Sequence, residues 1–211
     1  MNAAQLPALT AWLKERLNQP LPGSLAHEEM KAVPVGEKFT INHSENPKPG
    51  GVLILLYPNN GELYIPLILR SSYNGAHSGQ ISFPGGKSDL NELPESTALR
   101  EAREEIGVNP EAIELIGKLS PHYVVPSNFL VQPVIAVSES KPNFLPDARE
   151  VVTVIEFKIS SILSSGSIRS GIIKAGNYTL NAPFFNSEAG KVWGATAMML
   201  NEFRLLLNEW K

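Results

Sequence analysis

The stretch Gly86-Lys-Ser-Asp-Leu-Asn-Glu92-Leu-Pro94-Glu-Ser-Thr-Ala-Leu99-Arg100-Glu101-Ala102-Arg103-Glu104-Glu105-Ile106-Gly107-Val108 governs the reading of this chain. It predicts a loop, a helix and a second loop. Pro94 suits the first helical turn, where its missing N–H costs nothing. Leu99, Ala102 and Ile106 recur at helical spacing and are expected to face the core. Gly107 stands where a left-handed residue usually ends a helix. At 100° per residue, Glu105 lies about 40° from Glu101, and Glu104 about 60° to the other side. Three carboxylates thus share one sector, although like charges at these spacings cost roughly 0.2–0.5 kcal/mol per pair. A cation between them would relieve that repulsion, and carboxylate oxygens suit the hard ions Mg²⁺ and Mn²⁺.

A Glu-rich turn is also what a solvated helix face looks like, partly neutralised here by Arg100 and Arg103. The spacing of the whole segment argues against that. It fits G-x5-E-x7-R-E-U-x-E-E-x-G-U, with U apolar, at every fixed position, and Ala102 is the small occupant of the first apolar slot. The pattern resembles the Nudix box, the signature of the Nudix hydrolases. Upstream, Leu69-Arg70-Ser71-Ser-Tyr-Asn-Gly-Ala-His77-Ser78-Gly79-Gln80-Ile-Ser-Phe83-Pro84-Gly85-Gly86 is similar to the motif that precedes the box in the coenzyme A pyrophosphatase branch. Downstream, Pro126-Ser-Asn-Phe129, Phe144-Leu-Pro-Asp-Ala-Arg-Glu150-Val151 and Trp193-Gly-Ala-Thr196-Ala197 also look like that branch. The likeness covers residues 50 to 205. One departure is Gly75, where branch members often carry a basic residue two positions before the histidine.

The resemblance implies an α+β fold, a mixed α/β/α sandwich with a mixed sheet flanked by helices. It implies Mg²⁺- or Mn²⁺-dependent hydrolysis of a nucleoside diphosphate linked to another group. For coenzyme A or acyl-coenzyme A the products would be 3′,5′-ADP and (acyl-)4′-phosphopantetheine. Gly75 leaves room for ADP-ribose, NADH or a diadenosine polyphosphate as substrate. A non-catalytic nucleotide-binding or regulatory module is a third reading, against which the complete set of box glutamates argues. Glu101 and Glu105 are the principal expected metal ligands, with Glu104 in the same shell and the Gly85 carbonyl beside them. The general base is open between a box glutamate and Glu150, which opens a strand. Arg100 and Glu92 are expected to orient the box as an Arg–carboxylate pair. Arg70 and Lys87 flank it and are placed to hold phosphate oxygens. Ser78 and Gln80 are expected to shape the substrate loop. His77 is open between a phosphate or ribose contact, a base and an ordinary loop hydrogen-bonder. Gly86 and Gly107 belong to the motif structurally.

Composition bounds the rest. One core serves 211 residues, so a single domain over 1–211 is expected, with an N-terminal helical extension over about 1–22 and a C-terminal helix over about 195–210. Hydrophobic residues make up 43% and charged residues 18%, as in soluble globular proteins. A net charge of −3 gives no global attraction to nucleic acid or to an anionic membrane. There are no cysteines, hence no disulfides and no thiolate metal sites. No apolar run reaches the roughly 18 residues of a membrane span. The start, Met1-Asn2-Ala3-Ala4-Gln5-Leu6, does not read as a signal peptide. A cytoplasmic enzyme with a small-molecule nucleotide partner, monomeric or a small homo-oligomer, is the expectation. Leu6, Leu9, Leu13 and Leu17 predict an amphipathic helix, and Leu200, Phe203, Leu206, Leu207 and Trp210 another. The segment from Ser24 to Gly50 reads as mostly irregular. Strands are expected at Val52–Tyr57, Leu63–Leu69, Ile113–Leu119, Phe129–Val137, Glu150–Ile159, Gly171–Lys174 and Tyr178–Ala182. Asn60-Gly61 favours a tight hairpin between the first two, and Ala175-Gly-Asn177 a turn between the last two.

Overall fold

A computed structural model describes residues 1–36, 46–71, 79–176 and 178–210. Its centre is a mixed sheet. Strand β2 (Lys48–Asn59) runs parallel to β8 (Phe129–Val137) and antiparallel to β3 (Glu62–Arg70), and β6 (Glu114–Lys118) and β7 (His122–Val124) both pair with β8. The far side of β3 takes β9 (Val151–Lys158), and its near end takes β4 (Ile81–Ser82). The predicted hairpin forms at Asn60 and Gly61, both at positive φ (48° and 80°), as its turn chemistry requires.

Strand β2 alternates between two cores, which is what a sheet covered on both faces demands. Leu53, Leu55 and Tyr57 meet Ala98, Ala102 and Ile106 of α3 (Pro94–Ile106). Ile54 and Leu56 join the larger core on the opposite face. That core holds Leu6, Leu9 and Leu13 of α1 (Leu6–Arg16) and Leu200, Phe203, Leu206 and Leu207 of α5 (Gly194–Glu209). Each such side chain contributes roughly 1.5–3 kcal/mol by leaving water. Both terminal helices therefore spend their apolar faces within the chain, and Arg16 fastens them with a two-pronged contact to Glu209 (2.6 and 3.0 Å). The result is the expected α+β sandwich.

The segment after Pro22 departs from the expected irregularity. It contains α2 (Ser24–Glu28) and β1 (Val33–Pro34), and β1 joins a second sheet with β10 (Ile168–Ala175), β11 (Tyr178–Ser187) and β12 (Gly190–Trp193). A short helix, α4 (Ile159–Leu163), links β9 to that sheet. β10 and β11 pair as the expected hairpin; Asn177 of its turn lies outside the described residues. Strand β2 also begins earlier than its apolar run, because Pro49, Gly50 and Gly51 pair with β8. Gly51 allows close approach: a Cβ there would sit 2.1 Å from the Pro94 carbonyl oxygen. Loss of a side chain at this point lets the start of α3 lie directly on the sheet.

A buried carboxylate docks α2. Glu202 of α5 is fully buried and accepts from the Gly23 and Ser120 amides (3.1 and 3.2 Å), with His27 Nε2 at 3.0 Å. Burial alone would raise its pKa, yet His27, Ser120 and Gly23 together lower it. The His122 ring stands edge-on to His27, centroids 4.8 Å apart. Burial, then the neighbouring His27, depresses His122 from 6.5 to about 4. Between those values the unfolded chain takes up a proton that the fold does not. Stability should therefore fall by about 2–3 kcal/mol as pH drops from about 6.5 to about 4. The depressed Glu202 adds a loss at still lower pH. Urea midpoints across pH 4–7 check this, and His122→Gln should flatten the trend between pH 6.5 and 4; an unchanged slope in that variant would refute it.

Candidate active site

The box folds as a short strand followed by a helix. β5 (Gly85–Lys87) adds antiparallel to Gly50–Val52 of β2. The sequence reading missed this strand, because two glycines carry no strand propensity. The pairing brings the Gly85 and Gly86 backbone against β2 on one side and α3 on the other. An added Cβ on Gly86 would lie 2.7 Å from either carboxylate oxygen of Glu101, so only a glycine lets that carboxylate rest on the strand. Helix α3 ends at Gly107 in the left-handed region (φ 70°), as its position predicts. Its last carbonyls are taken by a strap that sequence reasoning missed. Leu145 N–H donates to Ile106 O (2.9 Å) and Asp147 N–H to Glu105 O (3.0 Å). No local pattern announces such a contact, since its two bonds span 39 and 42 residues of chain.

Arg100 organises the first half of the site. Its Nε and Nη2 grip the two oxygens of Glu92, each at 2.9 Å, and Nη2 also donates to the Lys87 carbonyl (3.0 Å). Glu92 further accepts from the Asp89 amide and the Thr97 hydroxyl. These bonds, Arg100 first, hold the Glu92 carboxyl at about 2. The Arg–Glu brace expected from the sequence is thus present. The remaining nitrogen, Nη1, donates to both Glu101 Oε1 (2.9 Å) and Glu104 Oε2 (3.1 Å).

Glu105 faces elsewhere. It is 1% exposed, while Glu104 is open to solvent. The sector that the sequence assigns to all three glutamates is therefore split, Glu105 turning inward and Glu104 outward. Seven residues bring Glu105 to within about 20° of Ala98 on the helix wheel, which places it at the core edge. There it accepts from Arg70 Nη1 (2.7 Å) and from the Gly85 amide (2.8 Å). Burial raises its pKa to about 7, opposed by Arg70 and the Gly85 amide and reinforced by Glu101. Glu101 is also raised, by burial first, with Arg100 opposing and the charges of Glu104 and Glu150 adding. Glu101 is accordingly the hub on which the fields of Glu104, Glu105 and Glu150 meet.

The other candidate residues spread around this hub. Arg70, which the sequence places to hold phosphate oxygens, is paired with Glu105, and its backbone amide donates to Gln80 O (3.0 Å). Lys87 is exposed beside the box. Glu150 is exposed, and its carbonyl accepts from the Ser71 amide (2.8 Å), which fixes the start of β9 against the end of β3. His77, Ser78 and Gly75 lie outside the described residues.

The donor chemistry suits a hard divalent ion. Every candidate ligand is an oxygen, and Glu101 with Glu104 already converges on one positive nitrogen of Arg100. Among the described residues no group of three or more acidic or histidine side chains is arranged, as they stand, to hold a metal ion. The residues fit such an ion through the oxygen chemistry of their donors.

Comparison with known proteins agrees with this architecture. The NUDIX domain model matches residues 47–162. Nudix hydrolase 3 of Caenorhabditis elegans is 30% identical over 184 residues, covering 80% of this chain and 77% of that protein. The human mitochondrial coenzyme A diphosphatase NUDT8 is 34% identical over 166 residues, covering 76% and 70%. The crystal structure of the Nudix hydrolase RenU from M. smegmatis superposes with a TM-score of 0.52 at 16% identity, over 78% of this chain and 88% of that one, and so shares the fold. The chain belongs to the Nudix hydrolases, a family that generally uses divalent metal ions. Within them it falls in the coenzyme A pyrophosphatase-like branch and is a pyrophosphohydrolase.

Proposed function

We propose that this enzyme is a coenzyme A or acyl-coenzyme A diphosphatase, releasing 3′,5′-ADP and (acyl-)4′-phosphopantetheine. The observation that carries the reading is the Glu101–Glu104 pair meeting on the Arg100 guanidinium beside the Gly86 backbone, in a chain 34% identical to a coenzyme A diphosphatase. Glu101 and Glu104, with Glu105 and the Gly85 carbonyl, would hold Mg²⁺ or Mn²⁺. Such an ion, when bound, neutralises the diphosphate and lowers the pKa of a water. Arg100 keeps Glu101 and Glu104 aligned, through its grip on Glu92. Lys87, exposed next to Gly86, would offer diphosphate oxygens a point charge. Arg70 sets Glu105 and leaves Gln80 to shape the loop above it. Glu150, exposed, with no hydrogen bond to its carboxylate among the described residues, takes the proton of the attacking water. Phosphoryl transfer asks mainly for positioning and charge stabilisation, which this residue set supplies without a covalent nucleophile.

No helix among the described residues is long and apolar enough to cross a membrane. Action in the cytoplasm, as a monomer or small homo-oligomer, is part of the same reading.

A substrate panel tests it. With Mg²⁺ or Mn²⁺, coenzyme A should be cleaved well above ADP-ribose, NADH and diadenosine polyphosphates. A chelator should bring turnover to background, and either ion should restore it. Equal or faster cleavage of ADP-ribose would defeat the coenzyme A assignment.

A further inference from the structure

Glu150 is joined to the box through main chain. The strap that caps α3 runs on into a turn, in which the Asp147 carbonyl accepts from the Glu150 and Val151 amides (3.0 and 2.9 Å). The Asp147 amide meanwhile donates to Glu105 O, and the Glu150 carbonyl accepts from the Ser71 amide. Ser71 follows Arg70, whose guanidinium holds the Glu105 carboxylate (2.7 Å). These bonds form a closed circuit. It leaves Glu105 through its carbonyl, passes Asp147, Glu150 and Ser71, and returns through Arg70 to the Glu105 side chain. The charge of Glu150 also reaches Glu101.

The sheet does not place Glu150 by itself. Leu69 pairs with Thr153 but Arg70 with Val151, so Val152 is an extra residue on β9. The faces exchange across this bulge: Val151 and Val154 pack in the α3 core, whereas Ile155 and Phe157 belong to the larger one. Unbroken alternation would put Val151 with Ile155 and Phe157. The ladder is thus interrupted just where β9 begins, and the Asp147 turn carries the geometry from there to Glu150. The Asp147 side chain stiffens that turn. Its Oδ1 accepts from the Arg149 amide (2.9 Å), as in an Asx turn, and its Oδ2 accepts from Arg149 Nη2 (2.5 Å). The Arg149 side chain is exposed and its ion pair adds little, which leaves the amide contact as the effective brace.

We propose that Asp147 is a positioning residue for the reaction: its side chain locks the turn that ties Glu150 to Glu105. The inference rests on the proposed role of Glu150 as the base and is independent of which diphosphate is cleaved. A loosened turn leaves the base attached but misplaced, and a misplacement of about 1 Å can cost up to about a hundredfold in rate.

Steady-state kinetics of the full chain on the substrate cleaved best test it. Asp147→Ala should lower kcat about tenfold and leave KM within about twofold of wild type. Asp147→Asn keeps an oxygen for the Arg149 amide and should retain most of kcat. Glu150→Gln should lower kcat about a hundredfold. Adding Asp147→Ala to it should cost little more, because the group being positioned is gone. Amide hydrogen exchange reads the turn without turnover: the Glu150 and Ser71 amides should exchange faster in Asp147→Ala than in wild type. Unchanged exchange overturns the proposal, as does a full tenfold loss on top of Glu150→Gln. Wild-type kcat in Asp147→Ala beside a slow Glu150→Gln also overturns it, and leaves the base assignment standing. Near-normal kcat in Glu150→Gln removes the base assignment and the proposal with it.

Discussion

Glu101→Gln lowers kcat by about three orders of magnitude and leaves the melting temperature within a few degrees of wild type. Three orders correspond to about 4 kcal/mol of barrier, the scale expected when charge stabilisation of a diphosphate is lost. The stability half of this result follows from the surroundings of Glu101. Its carboxylate rests on Gly86, partly buried, with Glu104, Glu105 and Glu150 in electrostatic reach, and its pKa is raised in consequence. The fold thus disfavours the charge. Glutamine keeps the shape and keeps an oxygen for Arg100 Nη1, while removing that unfavourable field. Steady-state rates on the substrate cleaved best, with a thermal melt, make the comparison. A variant retaining a tenth or more of wild-type kcat would remove Glu101 from the centre of the chemistry.

The second large effect is at Glu105, and it reads out as pH dependence. With a chelator present, the folded Glu105 carboxyl titrates near 7, against 4.5 in the unfolded chain. Burial is the main cause. Because the folded value is raised, the associated stability is present below pH 4.5 and is lost as pH rises through 7. The size is about 3 kcal/mol. Glu105→Gln cannot ionise and escapes this loss. Its amide must turn an N–H toward either Arg70 or the Gly85 amide, a cost of about 1–3 kcal/mol that does not vary with pH. The stability of the variant relative to wild type should therefore improve by about 3 kcal/mol between pH 5 and pH 8, while its kcat falls at least a hundredfold. Parallel stability curves for the two proteins would show that burial does not hold the Glu105 pKa up. A near-normal kcat would exclude its carboxylate from the reaction. The gain in stability and the loss of rate have one origin: a charge kept in an apolar site for use.

The two effects also separate the roles of the arginines. Arg100 joins Glu92, Glu101, Glu104 and the Lys87 carbonyl, so it aligns the open side of the site. Arg70 touches the closed side through Glu105. The sequence shows Arg100 as the partner of Glu92 and Arg70 as a flanking cation, and only the first pairing was legible there. The Arg100 brace follows from helical spacing and a short loop, which are local. The Arg70 contact depends on β3 lying under the C-terminal end of α3, which is not.

The same division runs through the whole molecule. Periodicity and capping in the primary sequence determined α1, α3 and α5, the Asn60–Gly61 hairpin and most strands, because those elements rest on contacts between near neighbours. The spacing of the box determined which carboxylates can share a helix sector. Tertiary structure alone decided that Gly85–Lys87 pairs as a strand, since only the neighbouring β2 supplies its hydrogen bonds. It alone turned Glu105 inward, because the core edge, the Arg70 guanidinium and the Gly85 amide come from three separate elements. It also decided that residues 23–34 dock on α5 and β11, through a carboxylate at 202 and a strand edge far along the chain. Contacts closed over such separations leave no repeating signature in the sequence, because their geometry exists only once the sheet has formed.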